Sequence, residues 1–153
     1  MIADSLRDFE PDVVLFQEVP ASRATFLRNQ LRERTKLDGW YFAEPAEPST
    51  KTYGSAIAAR GRVVGREQCT PTSVKDAQLL AHAAVTVDGT TFDAFSIHAP
   101  NAAGNGWQKI VVIASMLDKV RRIDGPCVVG GDFNEPYEFE RGGRPVSFRL
   151  RDK

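Results

Sequence analysis

Histidine and cysteine are scarce in this chain, with two of each among 153 residues. Two histidines without zinc-ligand spacing leave a zinc hydrolase short of ligands. The calcineurin-like phosphoesterases are excluded too, because their Asp-x-His and Gly-Asn-His blocks are missing. Cys69 and Cys127 lie too far apart in sequence to establish a disulfide framework. Cys127 opens an apolar strand and reads as a small core residue. Net charge is lacking as well, since 20 basic residues balance 20 acidic ones. That balance argues against a strongly basic nucleic-acid-binding domain, while a local patch survives it. No charged-then-apolar leader opens the chain and no apolar run is long enough to span a bilayer, so the cytoplasm is the default compartment. Repeats, low-complexity tracts and linkers are also missing, and the length suits one domain with one core.

What the chain does have is strands that end in polar residues. Cys127, Val128 and Val129 form a short buried run that stops at Gly130-Gly131 and continues as Asp132-Phe133-Asn134. Paired glycines allow a tight turn and a close approach to a ligand. Asp132 and Asn134 then stand at the strand's carboxyl end, where open α/β sheets place their ligands. A carboxylate beside a carboxamide suits a hard metal ion, a water nucleophile or a phosphate. Upstream, Ile2, Leu6 and Phe9 fall at helical spacing until Pro11. Val13 to Phe16 follows as a strand buried on both faces, leaving the core at Gln17-Glu18. A third strand, Thr91 to Ile97, is joined to Ala83–Val87 by Asp88-Gly89, a strong hairpin signal, and ends in His98-Ala99-Pro100-Asn101. His82 lies inside that hairpin and reads as structural.

The rest reads as scaffold. Ala24, Leu27 and Leu31 share one helical face, with Arg28, Arg32 and Arg34 on a solvated one. Trp40–Phe42, Gly54–Ala59 and Arg62–Glu67 read as strands, and residues 44–51 as a loop. Ile110, Ile113, Ala114, Leu117 and Val120 mark a further amphipathic helix before Pro126.

Four blocks now stand in order: Gln17-Glu18 after an apolar strand, Tyr53-Gly54-Ser55 through Arg60, Ser96-Ile97-His98-Ala99-Pro100-Asn101, and Gly131-Asp132-Phe133-Asn134. Together they resemble the endonuclease/exonuclease/phosphatase superfamily. Its members include pancreatic-type deoxyribonucleases, abasic-site endonucleases, sphingomyelinases, inositol polyphosphate phosphatases and deadenylases. The resemblance implies an α/β fold, a four-layered α/β/β/α sandwich with mixed sheets. It implies Mg²⁺-dependent hydrolysis of a phosphoester, with Mn²⁺ as a substitute and nucleic acid among the candidate substrates. By position, Glu18 matches the family's metal-binding glutamate, and Asp132 the aspartate that positions or deprotonates water near the metal. Asn134 matches the amide that orients phosphate oxygens, and His98 a histidine on the scissile phosphate.

The family's opening asparagine-bearing strand and its closing Ser-Asp-His segment have no counterpart here. Residues 1–153 are therefore expected to form one partial domain, truncated at its first and C-terminal strands. The alternative to an active hydrolase is an inactive fragment or degenerate relative. Missing strands would expose sheet edges, so marginal stability or self-association is expected.

Overall fold

Alternation along the strands decides how this chain stacks. The computed structural model describes residues 2–45, 52–66, 79–100, 102–134, 138–141 and 144–147. Helix α1 (Ile2–Phe9) leads into β1 (Val13–Pro20), a short 3-10 turn and α2 (Ala24–Arg34). Strands β2 (Gly39–Phe42), β3 (Tyr53–Ala59), β4 (Arg62–Gly65), β5 (Leu80–Val87) and β6 (Thr90–His98) follow. Helix α3 (Ala102–Val120) crosses to β7 (Cys127–Asp132), and a hairpin of β8 (Glu138–Arg141) and β9 (Arg144–Ser147) comes last. One sheet has the order β1-β3-β2 and a second the order β4-β5-β6-β7, while β8 and β9 pair only with each other among the described residues. All pairings are antiparallel except β6 with β7, which is parallel and requires the α3 crossover.

Successive strand residues face opposite sides, and the core divides accordingly. From the first sheet, Phe16, Val19, Ala56 and Ala58 meet Ala3, Ala24 and Leu31 of α1 and α2. Their alternates Ile57 and Ala59 turn inward to meet Ala81, Ala83, Val85 and Ala94 of the second sheet. Small alanines let the two sheets pack closely. The outer face of the second sheet gives Leu80, Phe95 and Ile97 to Val112 and Met116 of α3. Helix, sheet, sheet and helix are thus four layers joined by three apolar interfaces, the α/β/β/α sandwich expected from the sequence. Among the described residues no helix is long and apolar enough to cross a membrane.

Several local expectations hold. Asp88 (φ +48°) and Gly89 (φ +79°) make the hairpin turn between Val87 and Thr90. Arg28 and Arg32 are exposed, and Arg34 pairs with Asp4 at 2.9 Å. His82 is structural. It stacks on Phe95 with ring centroids 4.1 Å apart, and its Nε2 lies 2.7 Å from Asp93 Oδ1. Burial pushes its pKa down from the ordinary value, and Asp93 opposes that only in part.

Other expectations are corrected. Val128 and Val129 are not buried: they are 48% and 36% exposed, because β7 is an edge with β6 on one side only among the described residues. Cys127 is likewise exposed rather than a core residue. β1 does not stop at Gln17 but runs through an irregularity to Pro20, with Val13, Val14 and Leu15 only half-buried. β4 ends at Gly65; Glu67, like Cys69, lies outside the described residues.

Candidate active site

β1 is bulged where the sequence turns polar. Phe16 pairs with Ala56 and Val19 with Gly54, so β1 spends three steps against two on β3. The extra residue bends the strand. Glu18 takes φ +54° there, a left-handed conformation uncommon for a residue with a side chain. Gln17 secures the bulge from inside, its Nε2 donating to Ser96 Oγ at 3.0 Å and Leu15 O at 3.1 Å. The fully buried Ser96 hydroxyl in turn donates to Phe16 O at 2.8 Å. The bulge is therefore tied to β6 of the facing sheet. The Glu18 side chain projects outward and is 70% exposed.

The second sheet brings up the other groups. His98 and Asp132 end β6 and β7 and lie opposite each other in the parallel register. His98 Nε2 lies 3.9 Å from Glu18 Oε1, and its buried Nδ1 has no hydrogen-bond partner among the described residues. Just past the strands, Ala99 N donates to Asp132 O at 2.7 Å. Asn134 folds back, its own N–H reaching Asp132 Oδ1 at 2.8 Å. Its side-chain Nδ2 donates to Ala99 O at 2.7 Å, which fixes which end of the carboxamide is which. Nδ2 carries two hydrogens, so one N–H remains for another acceptor. Asn134 also has a left-handed backbone, at φ +49°, which asparagine tolerates better than most residues.

Glu18 at the β1 bulge stands beside His98, which is paired with Asp132 at the ends of β6 and β7, and Asn134 follows just beyond β7; the four span 116 positions of sequence from first to last. Among the described residues, two of the four non-glycine residues with positive φ are members of this group. The donors suit a hard cation, because carboxylate oxygens beside open solvent leave room for the waters that Mg²⁺ retains. Among the described residues no group of three or more His, Cys, Asp or Glu side chains is placed to hold a metal ion, so any ion here would rest on two carboxylates and water. The arrangement can hold an anion and a water side by side, with carboxylates for the proton and N–H groups for oxygens.

Three contributors carry roles that the sequence did not assign. Ser96 looks like any small strand residue, and its bridge exists only once two sheets face each other. Gln17 reads as a polar strand end, whereas its side chain points back into the protein. Lys109 is 6% exposed and donates to Asn134 O at 3.1 Å. A signal for it was present: Lys109 precedes Val112 and Met116 by three and seven residues, on the apolar face of the helix.

The family described as "Endonuclease/Exonuclease/phosphatase family" matches residues 1–152. No curated protein matches the chain in sequence. Among solved structures, a D. rerio TDP2 humanized by 14 mutations superposes with a TM-score of 0.65 at 20% identity, covering 88% of this chain and 57% of its own. D. rerio TDP2 complexed with a single-strand DNA product gives 0.63 at 21% identity, covering 88% and 52%. ANGEL2, a 2',3'-cyclic phosphatase, gives 0.63 at 18% identity, covering 87% and 42%. At these identities the likeness concerns the fold, and the chain spans about half the length of these structures.

Proposed function

The chain belongs to the endonuclease/exonuclease/phosphatase family, and on that premise we propose that it is a metal-dependent phosphoester hydrolase. One observation carries this reading: Glu18, His98, Asp132 and Asn134 converge, with Glu18 and Asn134 both held in left-handed backbone. Backbone strain kept at two members of one cluster is a feature of working sites. Glu18 and Asp132 would hold Mg²⁺, or Mn²⁺ in its place, which when bound offsets charge on the phosphoryl oxygens.

The protein groups supply the rest. Asp132 aligns a water for in-line attack on phosphorus and takes its proton as the ester P–O bond breaks. The remaining N–H of Asn134 and the Nε2 of His98 donate to the other phosphoryl oxygens, positioning and stabilising them. The substrate class we favour includes nucleic acid, in keeping with the DNA product bound to a TDP2 of the same fold.

A second reading is favoured by β7. An edge left open among the described residues beside Asp132, with Val128 48% exposed, is what a non-catalytic relative would retain. Hydrolysis of bis(p-nitrophenyl) phosphate and plasmid DNA separates the two. It is run with Mg²⁺, with EDTA and with Asp132→Ala. Metal-dependent turnover that vanishes in the variant supports the hydrolase, and silence from a folded chain supports the remnant. Glu18→Gln should weaken metal binding and raise the Mg²⁺ needed, and Asp132→Asn should mainly lower turnover. Negligible effects from both would sink the residue assignment.

A further inference from the structure

Lys109 is a charge where the helical pattern calls for hydrocarbon. It shares the buried face of α3 with Val112 and Met116 and is itself 6% exposed. A buried ammonium is tolerated only when its hydrogen bonds are met by the protein. One of them goes to the main-chain carbonyl of Asn134, 3.1 Å from Nζ. That carbonyl belongs to the residue held at φ +49°. The backbone N–H of Asn134 goes to Asp132 Oδ1 at 2.8 Å and one N–H of its carboxamide to Ala99 O at 2.7 Å. Lys109 therefore grips the turn from the helix side while Asp132 and Ala99 grip it from the strand side. A charge-assisted bond is of the stronger kind and suits holding a left-handed residue in place.

We propose that Lys109 is a positioning residue, whose ammonium holds the Asp132–Asn134 turn so that both side chains face the reacting phosphoryl group. This rests on the hydrolase reading for the identity of the reaction, but the clamp itself is a property of α3 and the turn. Glu18 lies on the other sheet, whereas Asp132, the second residue proposed to hold the metal, belongs to the clamped turn. Removing the charge should therefore disturb turnover and, through Asp132, the metal requirement as well.

The test uses the whole chain, its Lys109→Met and Lys109→Arg variants, and bis(p-nitrophenyl) phosphate with Mg²⁺. Amide hydrogen exchange at Asn134 is followed in parallel, against Ile97 of β6 as the reference. Small misplacements of catalytic groups cost about 10²-fold, so Lys109→Met should lower kcat by about that factor. KM should stay within about threefold, the pattern of a loss felt only in the transition state, while the Mg²⁺ concentration for half-maximal rate should rise through Asp132. Lys109→Arg, which keeps the charge and the donors, should recover most of the loss. Exchange at Asn134 should quicken in Lys109→Met at least about tenfold relative to Ile97, as expected of local opening.

If Lys109→Met does not fold, Lys109→Gln takes its place, keeping polar donors without the charge. Unchanged relative exchange at Asn134 overturns the clamp, and so does an arginine variant as impaired as the methionine one. A folded wild-type chain that hydrolyses nothing removes the hydrolase reading and with it the catalytic role of Lys109. An active wild type with an unaffected Lys109→Met removes the role of Lys109 alone.

Discussion

The two glycines before Asp132 differ sharply in what an added methyl group would meet. Gly131 has φ +142°, and a Cβ built there runs into the backbone of Ile97 on β6. Gly130 has ordinary backbone, and its Cβ would meet only Leu15 Cδ1, at 2.9 Å. A backbone carbonyl in a ladder cannot step aside, whereas the end of a leucine can rotate. For Gly131→Ala the strained backbone costs about 1–3 kcal/mol and the overlap about as much again, together about 2–6 kcal/mol. Domains of this size have about 5–15 kcal/mol of stability in total, so β7 would detach or the chain would unfold. For Gly130→Ala, the adjustment of Leu15 is offset by about 0.4–1 kcal/mol from a stiffer unfolded chain. Its net effect should therefore be small. The assay is urea denaturation, comparing midpoints at constant slope, with circular dichroism as the check on folding. A Gly131→Ala variant within about 1 kcal/mol of wild type would refute the reasoning, as would Gly130→Ala being the worse of the two. The same geometry explains the Gly-Gly pair: at Gly131 the close approach is to the neighbouring strand, and it keeps His98 and Asp132 in register.

Ser96→Ala should cost about 1–3 kcal/mol, because it strips Phe16 O of a buried donor. Thr35→Val, which breaks the bond to Leu31 O at the end of α2, should cost a similar amount without altering Mg²⁺ dependence; equal effects on metal response would count against the bulge. His82 has its pKa lowered by burial from an ordinary 6.5, so the unfolded chain takes up the proton first. Stability from this group is full above about pH 6.5 and falls as pH drops below it, by at most about 1.4 kcal/mol per pH unit. Unfolding free energies of wild type and His82→Gln measured between those limits and the carboxylate range should diverge in slope; parallel curves would show that His82 does not contribute. The exposed β7 edge should make the chain self-associate, and Val128→Lys should shift it toward monomer in light scattering after size exclusion. A wild-type monomer unchanged across a dilution series would remove that expectation.

Features that depend on neighbours along the chain are legible in the residues alone. Apolar spacing marked α1, α2 and α3, Asp88-Gly89 marked the β5–β6 turn, and polar residues after apolar runs marked Glu18, His98 and Asp132. These signals are local because helix period, strand alternation and turn conformation involve only a few adjacent residues. Tertiary structure decided what depends on partners far away in sequence. Val128 and Val129 have the composition of a central strand, yet their burial rests on which strands lie beside β7. The bulge at Glu18 is a mismatch of count between β1 and β3, invisible in either strand alone. Ser96 gained its role from β1, 80 positions away, and Lys109 from Asn134, 25 positions away. Residue types and their order sufficed to point at the chemistry; only packing two sheets face to face determined which atoms meet, because hydrogen bonds form in space and not along the chain.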